Sequence, residues 1–370
     1  MGRKPVIAAP GLLPGLFLGL LLALAGTAAA QQGASPPPVG ERPVLAEIER
    51  RGVVRCGVSF NPGFAANDDN GRPVGFMVDL CRALAAAVLG KADAIEIRRL
   101  SKPQEFAAVA AGDVDVSFAQ TSWTLTRDAT YAVDFGPPVF HDVQGIAAWR
   151  LPDGRSALES GELTICVPVG TTTQAELEAL LARGDRPWKL RLYPGWPDAL
   201  EAFLSRDCAA LSADRAPLTT ALHVLEQPRG SMEIADAPLA SASSSPELSS
   251  LPSREPITPL TPNADRMWMA AVRWTMYALF LADDAGVTGA NANFQRITGS
   301  SEMRRLLSGL PQVAVKAGLR PDWAYQAIVQ VGNYGEIFER NLGAHSPFKL
   351  ERGPNRPWTQ GGLLYAPVFQ

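Results

Sequence analysis

The run Gln120-Thr121-Ser122-Trp123-Thr124-Leu125-Thr126-Arg127 places small hydroxyl donors beside one permanently charged guanidinium. A planar fork of N–H donors suits a carboxylate, which arginine can hold through two parallel hydrogen bonds. The ordinary alternative is a solvated turn with Arg127 on the surface. A second candidate is Gly170-Thr171-Thr172-Thr173 at a helix start, where free backbone N–H groups and the helix dipole favour an anion. Ordinary capping by the threonines is the competing account, and both can hold at once. A third is Asp214, a carboxylate that could pair with an ammonium or cap the helix before Pro217. Phe60, Phe64 and Phe76 supply aromatic rings near the first strand, and Phe64 is taken as a candidate cover for the apolar part of a ligand.

The elements that position these groups read as alternating strands and helices. Val53–Val58 is a buried-strand run, Val74–Leu89 an amphipathic helix stopped by Gly90, and Ile95–Arg98 a second strand. Ser101-Lys102-Pro103-Gln104 opens a capped helix to Ala111, and the alternating Val114–Phe118 strand delivers the Gln120–Arg127 run at or just beyond its C-terminal end. In open α/β sheets ligands bind at that end. Residues 162–214 repeat the pattern: strand Leu163–Val167, a capping box Thr173-x-x-Glu176 with a helix to about Arg183, strand Leu190–Leu192, helix Pro197–Leu204, and strand Cys208–Ser212 leading to Asp214. The matched order gives two similar α/β lobes, linked across Phe135–Arg150.

A 46% hydrophobic and 19% charged composition supports a sizeable core rather than disorder. The net charge of -3, without basic clusters, argues against nucleic acid as a partner. Arg3 and Lys4, the apolar run Leu12–Leu24 and Ala28-Ala29-Ala30 read as a cleaved secretory signal over residues 1–30, followed by a Pro/Gly/Ser tether over 31–44. Four cysteines after such a signal suit disulfides and allow three pairings; two lie early and two in the middle, which favours Cys56–Cys81 and Cys166–Cys208, one bridge per lobe. With no CxxC and three scattered histidines, no metal or cofactor is expected. Neither GxSxG nor HExxH occurs, so hydrolase chemistry has no motif here.

Residues 226–262 read as an irregular surface return, Ser-rich at 240–250 and Pro-rich after it. Asn263 or Asp265 could cap a helix whose Met/aromatic stripe belongs to the core. Helices follow near 291–310 and 321–330, and the Gly/Pro-rich tail from Val331 reads as an irregular extension.

The segments Val54-Arg55-Cys56-Gly57-Val58, Thr121–Asp128, Thr164-Ile165-Cys166-Val167, Gly170–Thr173 and the long Val331–Asn341 run resemble the solute-binding proteins of polar and general L-amino-acid ABC importers. The likeness runs from about Leu45 to Pro367. It implies a type 2 periplasmic-binding-protein clamshell, two α/β lobes joined by a two-stranded hinge. Its boundaries would be 45–140 for the first part of lobe 1, 141–257 for lobe 2, 258–345 for the return to lobe 1 and 346–370 for an extension. It further implies a periplasmic monomer that takes an amino acid and hands it to an inner-membrane permease. By position, Arg127, Ser122 and Thr172, beside Thr121 and Thr171, would hold the α-carboxylate; Asp214 and the backbone near Gln120 would hold the ammonium; Asn61 would line the side-chain pocket. The chain departs from the family at Met77, at Ala119-Gln120 and near Pro262, where an aspartate and two arginines are usual. The alternatives are a cyclohexadienyl or arogenate dehydratase on the same fold, and an amino-acid sensor without transport.

Overall fold

The protein is described by a computed structural model covering residues 43–159, 162–182, 187–225, 230–236, 253–263, 265–308 and 310–369. The expected signal, nearly all of the tether and the Ser-rich 240–250 stretch lie outside the described residues. Among the described residues no helix is long and apolar enough to cross a membrane.

In chain order, α1 (Pro43–Arg51) leads into β1 (Val54–Val58), the short pair β2 (Ala66–Asn67) and β3 (Pro73–Val74), then α2 (Phe76–Leu89), β4 (Ile95–Arg99), α3 (Lys102–Ala110), β5 (Val116–Ser122), α4 (Leu125–Thr130), β6 (Val133–Phe135) and β7 (Phe140–Asp142). The second series is β8 (Gln144–Trp149), β9 (Leu163–Pro168), α5 (Thr172–Leu181), β10 (Trp188–Tyr193), α6 (Trp196–Leu204), β11 (Ala210–Asp214), α7 (Arg215–Val224) and β12 (Met232–Asp236). The chain returns through β13 (Glu255–Pro262) to the helices α8 (Arg266–Asp284), α9 (Ala292–Thr298), α10 (Ser301–Ser308), α11 (Pro311–Lys316), α12 (Trp323–Val331) and α13 (Tyr334–Asn341).

Among the described residues, beside the small β2-β3 sheet, two large separate sheets result, ordered β4-β1-β5-β13-β6, with β7 also on β13, and β10-β9-β11-β8-β12. In each, three parallel strands are continued by an antiparallel one. The chain crosses between the sheets at β7–β8 and between β12 and β13. The first sheet packs on the larger core, where Phe64, Phe76, Phe140, Tyr334 and Phe338 meet in ring contacts. The second sheet has a smaller apolar cluster on each face. Disulfides join Cys56 to Cys81 and Cys166 to Cys208.

Several expectations need correcting. The third strand runs on to Ser122, so Gln120, Thr121 and Ser122 lie inside it. The helix cap of the second unit is Thr171, whose hydroxyl accepts from Gln174 N at 3.1 Å, not Thr173, which is buried. Within the supposed irregular return, β13 lies in the middle of the first sheet despite Pro256, Pro259 and Pro262. It receives Trp123 N, Gly136 N and Val139 N on its carbonyls, so acceptors rather than donors carry much of its pairing. The tail also opens with a true helix, α13, started by the reciprocal Asn333–Glu336 capping box. Asp265 does cap α8, accepting from Trp268 N at 2.9 Å.

Candidate functional site

The site begins with a distortion of β5. Gln120 has φ 59°, a left-handed conformation rare for a residue with a Cβ, and the register with β13 slips between Thr258 and Leu260. Lys102, from the first turn of α3, holds this bulge. Its ammonium donates to the carbonyls of Ala119 at 2.5 Å and Gln120 at 2.8 Å, to the Thr121 hydroxyl and to Glu105 at 3.2 Å. Burial pushes the Lys102 pKa down, against the pull of Glu105. Glu105 is fully buried and also accepts from Ser117 at 2.6 Å and from Thr121. The twisted Gln120 side chain ties the first strand's exit to the bulge, donating to Ser59 O at 3.3 Å and accepting from Asn61 at 3.4 Å.

Arg127 stands on α4, which Thr124 caps. The residue is 8% exposed, and its guanidinium donates to Ser122 O at 2.9 Å and, across to the other lobe, to Gly170 O at 3.1 Å. Gly170 takes φ 74°, which lets the chain turn sharply from β9 into the first turn of α5. That turn leaves N–H groups without intrahelical acceptors. Asp214 ends β11, and its side chain makes no capping bond to α7. Burial raises its pKa well above the ordinary carboxylate range, and the negative charges of Glu255 and Asp142 raise it further.

Asn61, Gln120, Ser122, Arg127, Thr171, Thr172 and Asp214 all line one cavity of about 440 Å³. Two candidates do not. Thr121 is fully buried behind the wall, bonded to Lys102 and Glu105. Phe64 points into the core, 1% exposed, edge-on to Phe76 and Phe140; the ring at the cavity is Phe60, with Arg99 over it at 5.4 Å. The structure adds Lys102, Arg99, Trp196 and Asp198 to the lining. It also adds Glu255 behind the lining, where its carboxylate accepts from Ser122, from Thr172 at 3.0 Å and from Gln144 at 3.0 Å. Lys102 reads in sequence as part of a helix start, and nothing local marks it as a ligand-site cation. Glu255 follows a Ser/Pro-rich stretch that hides its strand.

What this arrangement can do is receive a molecule carrying both charges. A guanidinium from the first lobe and a carboxyl group from the second line the same cavity, each able to satisfy one end of a zwitterion once the carboxyl gives up its proton on the ligand's arrival. Residues 54–251 match the profile of bacterial extracellular solute-binding proteins, family 3. The chain is 33% identical to the general L-amino acid-binding periplasmic protein AapJ of Rhizobium johnstonii, over 94% of this chain and 98% of that one. It is 35% identical to the glutamate/glutamine/aspartate/asparagine-binding protein BztA of Rhodobacter capsulatus, over 88% and 93%. Among solved structures it resembles an ABC transporter periplasmic binding protein from Brucella ovis with glutathione bound, with a TM-score of 0.80 and 32% identity over 88% of this chain and 99% of that one. The chain belongs to the family 3 bacterial extracellular solute-binding proteins, which have the type 2 periplasmic-binding-protein fold.

Proposed function

We propose that this chain is a periplasmic receptor that closes on one L-amino acid between its two lobes and presents it to an ABC permease. The observation that carries the reading is the shared cavity lined by Arg127 from one lobe and Asp214 from the other. Each charged end of a bound amino acid leaves water and needs an opposite partner there; without one the cost is several kcal/mol. A ligand held at both ends also bridges the lobes and favours the closed form. In this reading the chain up to β7 and from β13 onward forms lobe 1 and β8–β12 form lobe 2, so the expected bounds at 140 and 258 move to Asp142 and Glu255, and the two crossings, at β7–β8 and between β12 and β13, are the hinge. Arg127 and the first turn of α5 hold the carboxylate, Asp214 and the Gln120 backbone hold the ammonium, and Asn61 borders the side-chain pocket. The relatives reported above are binding proteins, which supports a receptor without turnover.

A thermal-shift panel of the twenty L-amino acids, with glutathione added because the Brucella relative holds it, tests the reading. A ligand at about 100 times its Kd stabilises the folded form by ~2.7 kcal/mol, a rise of several degrees. At least one amino acid should produce it. No shift with any amino acid overturns the reading, and conversion of prephenate or arogenate by the purified protein replaces it with an enzyme.

A further inference from the structure

Ser122 reaches the cavity from the first lobe and Thr172 from the second, and both hydroxyls turn their hydrogen to the same carboxylate oxygen, Oε2 of Glu255. Glu255 does not line the cavity. It is 3% exposed, sits at the start of β13 directly opposite Asp142 of β7, and takes a third bond on its other oxygen from Gln144 of β8 at 3.0 Å. It therefore stands where both crossing segments meet, and accepts from Ser122 of the first lobe and from Thr172 and Gln144 of the second.

A serine or threonine hydroxyl has one hydrogen and two lone pairs. With the hydrogen of each directed at Glu255, Ser122 and Thr172 can turn only lone pairs towards the cavity. Lone pairs attract an ammonium and repel a carboxylate. We propose that Glu255 is a positioning residue that fixes the polarity of these two hydroxyls, assigning them to the ammonium of the ligand beside Asp214. This rests on the amino-acid reading and changes the role that family resemblance gives Ser122 and Thr172. The carboxylate is left to the Arg127 guanidinium and the N–H groups opening α5. One carboxylate oxygen also joins a donor from each lobe, so the two bonds coexist only at the interlobe spacing seen here. Ammonium recognition and closure are thereby tied to one residue at the hinge.

The test takes the tightest binder among the twenty L-amino acids. Beside it stand its 2-hydroxy acid, which lacks the ammonium, and its decarboxylated amine, which lacks the carboxylate. Calorimetry compares the wild type with Glu255→Gln, close in shape, and with Glu255→Ala, which removes the acceptor even where an amide would turn its oxygen to the hydroxyls. Released from Glu255, the hydroxyls can point hydrogen at the ligand. Amino-acid and amine affinity should fall on the order of tenfold or more, the weight of one to two hydrogen bonds to a charged group, while 2-hydroxy-acid affinity changes far less. A merely structural role would weaken all three alike, and that outcome overturns the proposal, as does unchanged amino-acid affinity in both variants. Absence of any amino-acid binding by the wild type is a separate result: it removes the receptor reading first and this proposal with it.

Discussion

The two lobes share a strand plan but differ in what stands behind it. Beneath the first sheet, α1, α2, α8, α12 and α13 contribute to one large core. The second sheet has only small clusters, one around Ile165 and Leu177 and one around Trp149 and Phe203. The site divides along the same line. The larger lobe supplies a strained strand, held in shape by the buried Lys102–Glu105 pair, and the arginine. The smaller lobe supplies a helix start and an aspartate at the last residue of a strand. Strain of this kind persists only where surrounding structure holds it, which accounts for the bulge being in the lobe with more packing behind it.

The sharpest way to break this division is to remove one charge from each side. Arg127→Ala and Asp214→Ala should each weaken calorimetric binding of an amino acid by roughly 2–5 kcal/mol, the cost of leaving one end of the ligand buried without its partner. A loss confined to one variant would mean that a single lobe does the recognising and the other only covers.

How far the sequence reveals this depends on whether a feature is local. The βαβ periodicity, the Asp265 cap and the grouping of four cysteines are carried by neighbouring residues, and the fold shows all of them. Arg127 and Asp214 were legible because strand ends are where such sheets place ligand groups. The positive φ of Gln120 was not, because it depends on Lys102 reaching across from another element. Phe60 and Phe64 are equally aromatic and equally near the first strand; the turn closed by Ala65 N and Asn61 O sends Phe64 inward and leaves Phe60 at the cavity. Glu255 was hidden by its prolines, which signal a loop by composition yet lie in a strand whose carbonyls carry the pairing.

The difference in core size gives the next test. The disulfides close stretches with sequence separations of 25 and 42, so chain entropy alone makes each worth about 3–4 kcal/mol and nearly equal. Their consequences should differ. Replacing Cys166 and Cys208 by alanine should split off an earlier calorimetric transition for the smaller lobe. Replacing Cys56 and Cys81 should lower the main transition. One undivided transition in both variants would show the lobes to be a single cooperative unit, and the contrast in their cores to be without thermal consequence.

The smallest effect concerns protons. Burial raises the Asp214 pKa well above the carboxylate range, and nearby Asp142 is pushed up to about 7, likewise chiefly by burial. Such groups bind protons more tightly folded than unfolded. For Asp142, between about pH 4 and 7, this makes stability fall as pH rises, by at most about 1.4 kcal/mol per unit for one group. A ligand ammonium beside Asp214 has the opposite preference, since it favours the charged carboxylate. Binding should therefore release protons, up to one per ligand, and affinity should rise with pH by at most about tenfold per unit until Asp214 is ionised in the free protein. Titrations in two buffers of different ionisation enthalpy measure the release directly. Above about pH 7, where Asp142 is itself charged, Asp142→Asn removes one of the negative neighbours that raise Asp214, so it should bind with less release than the wild type. Proton uptake on binding would place the ammonium away from Asp214 and undo the division of charge between the lobes.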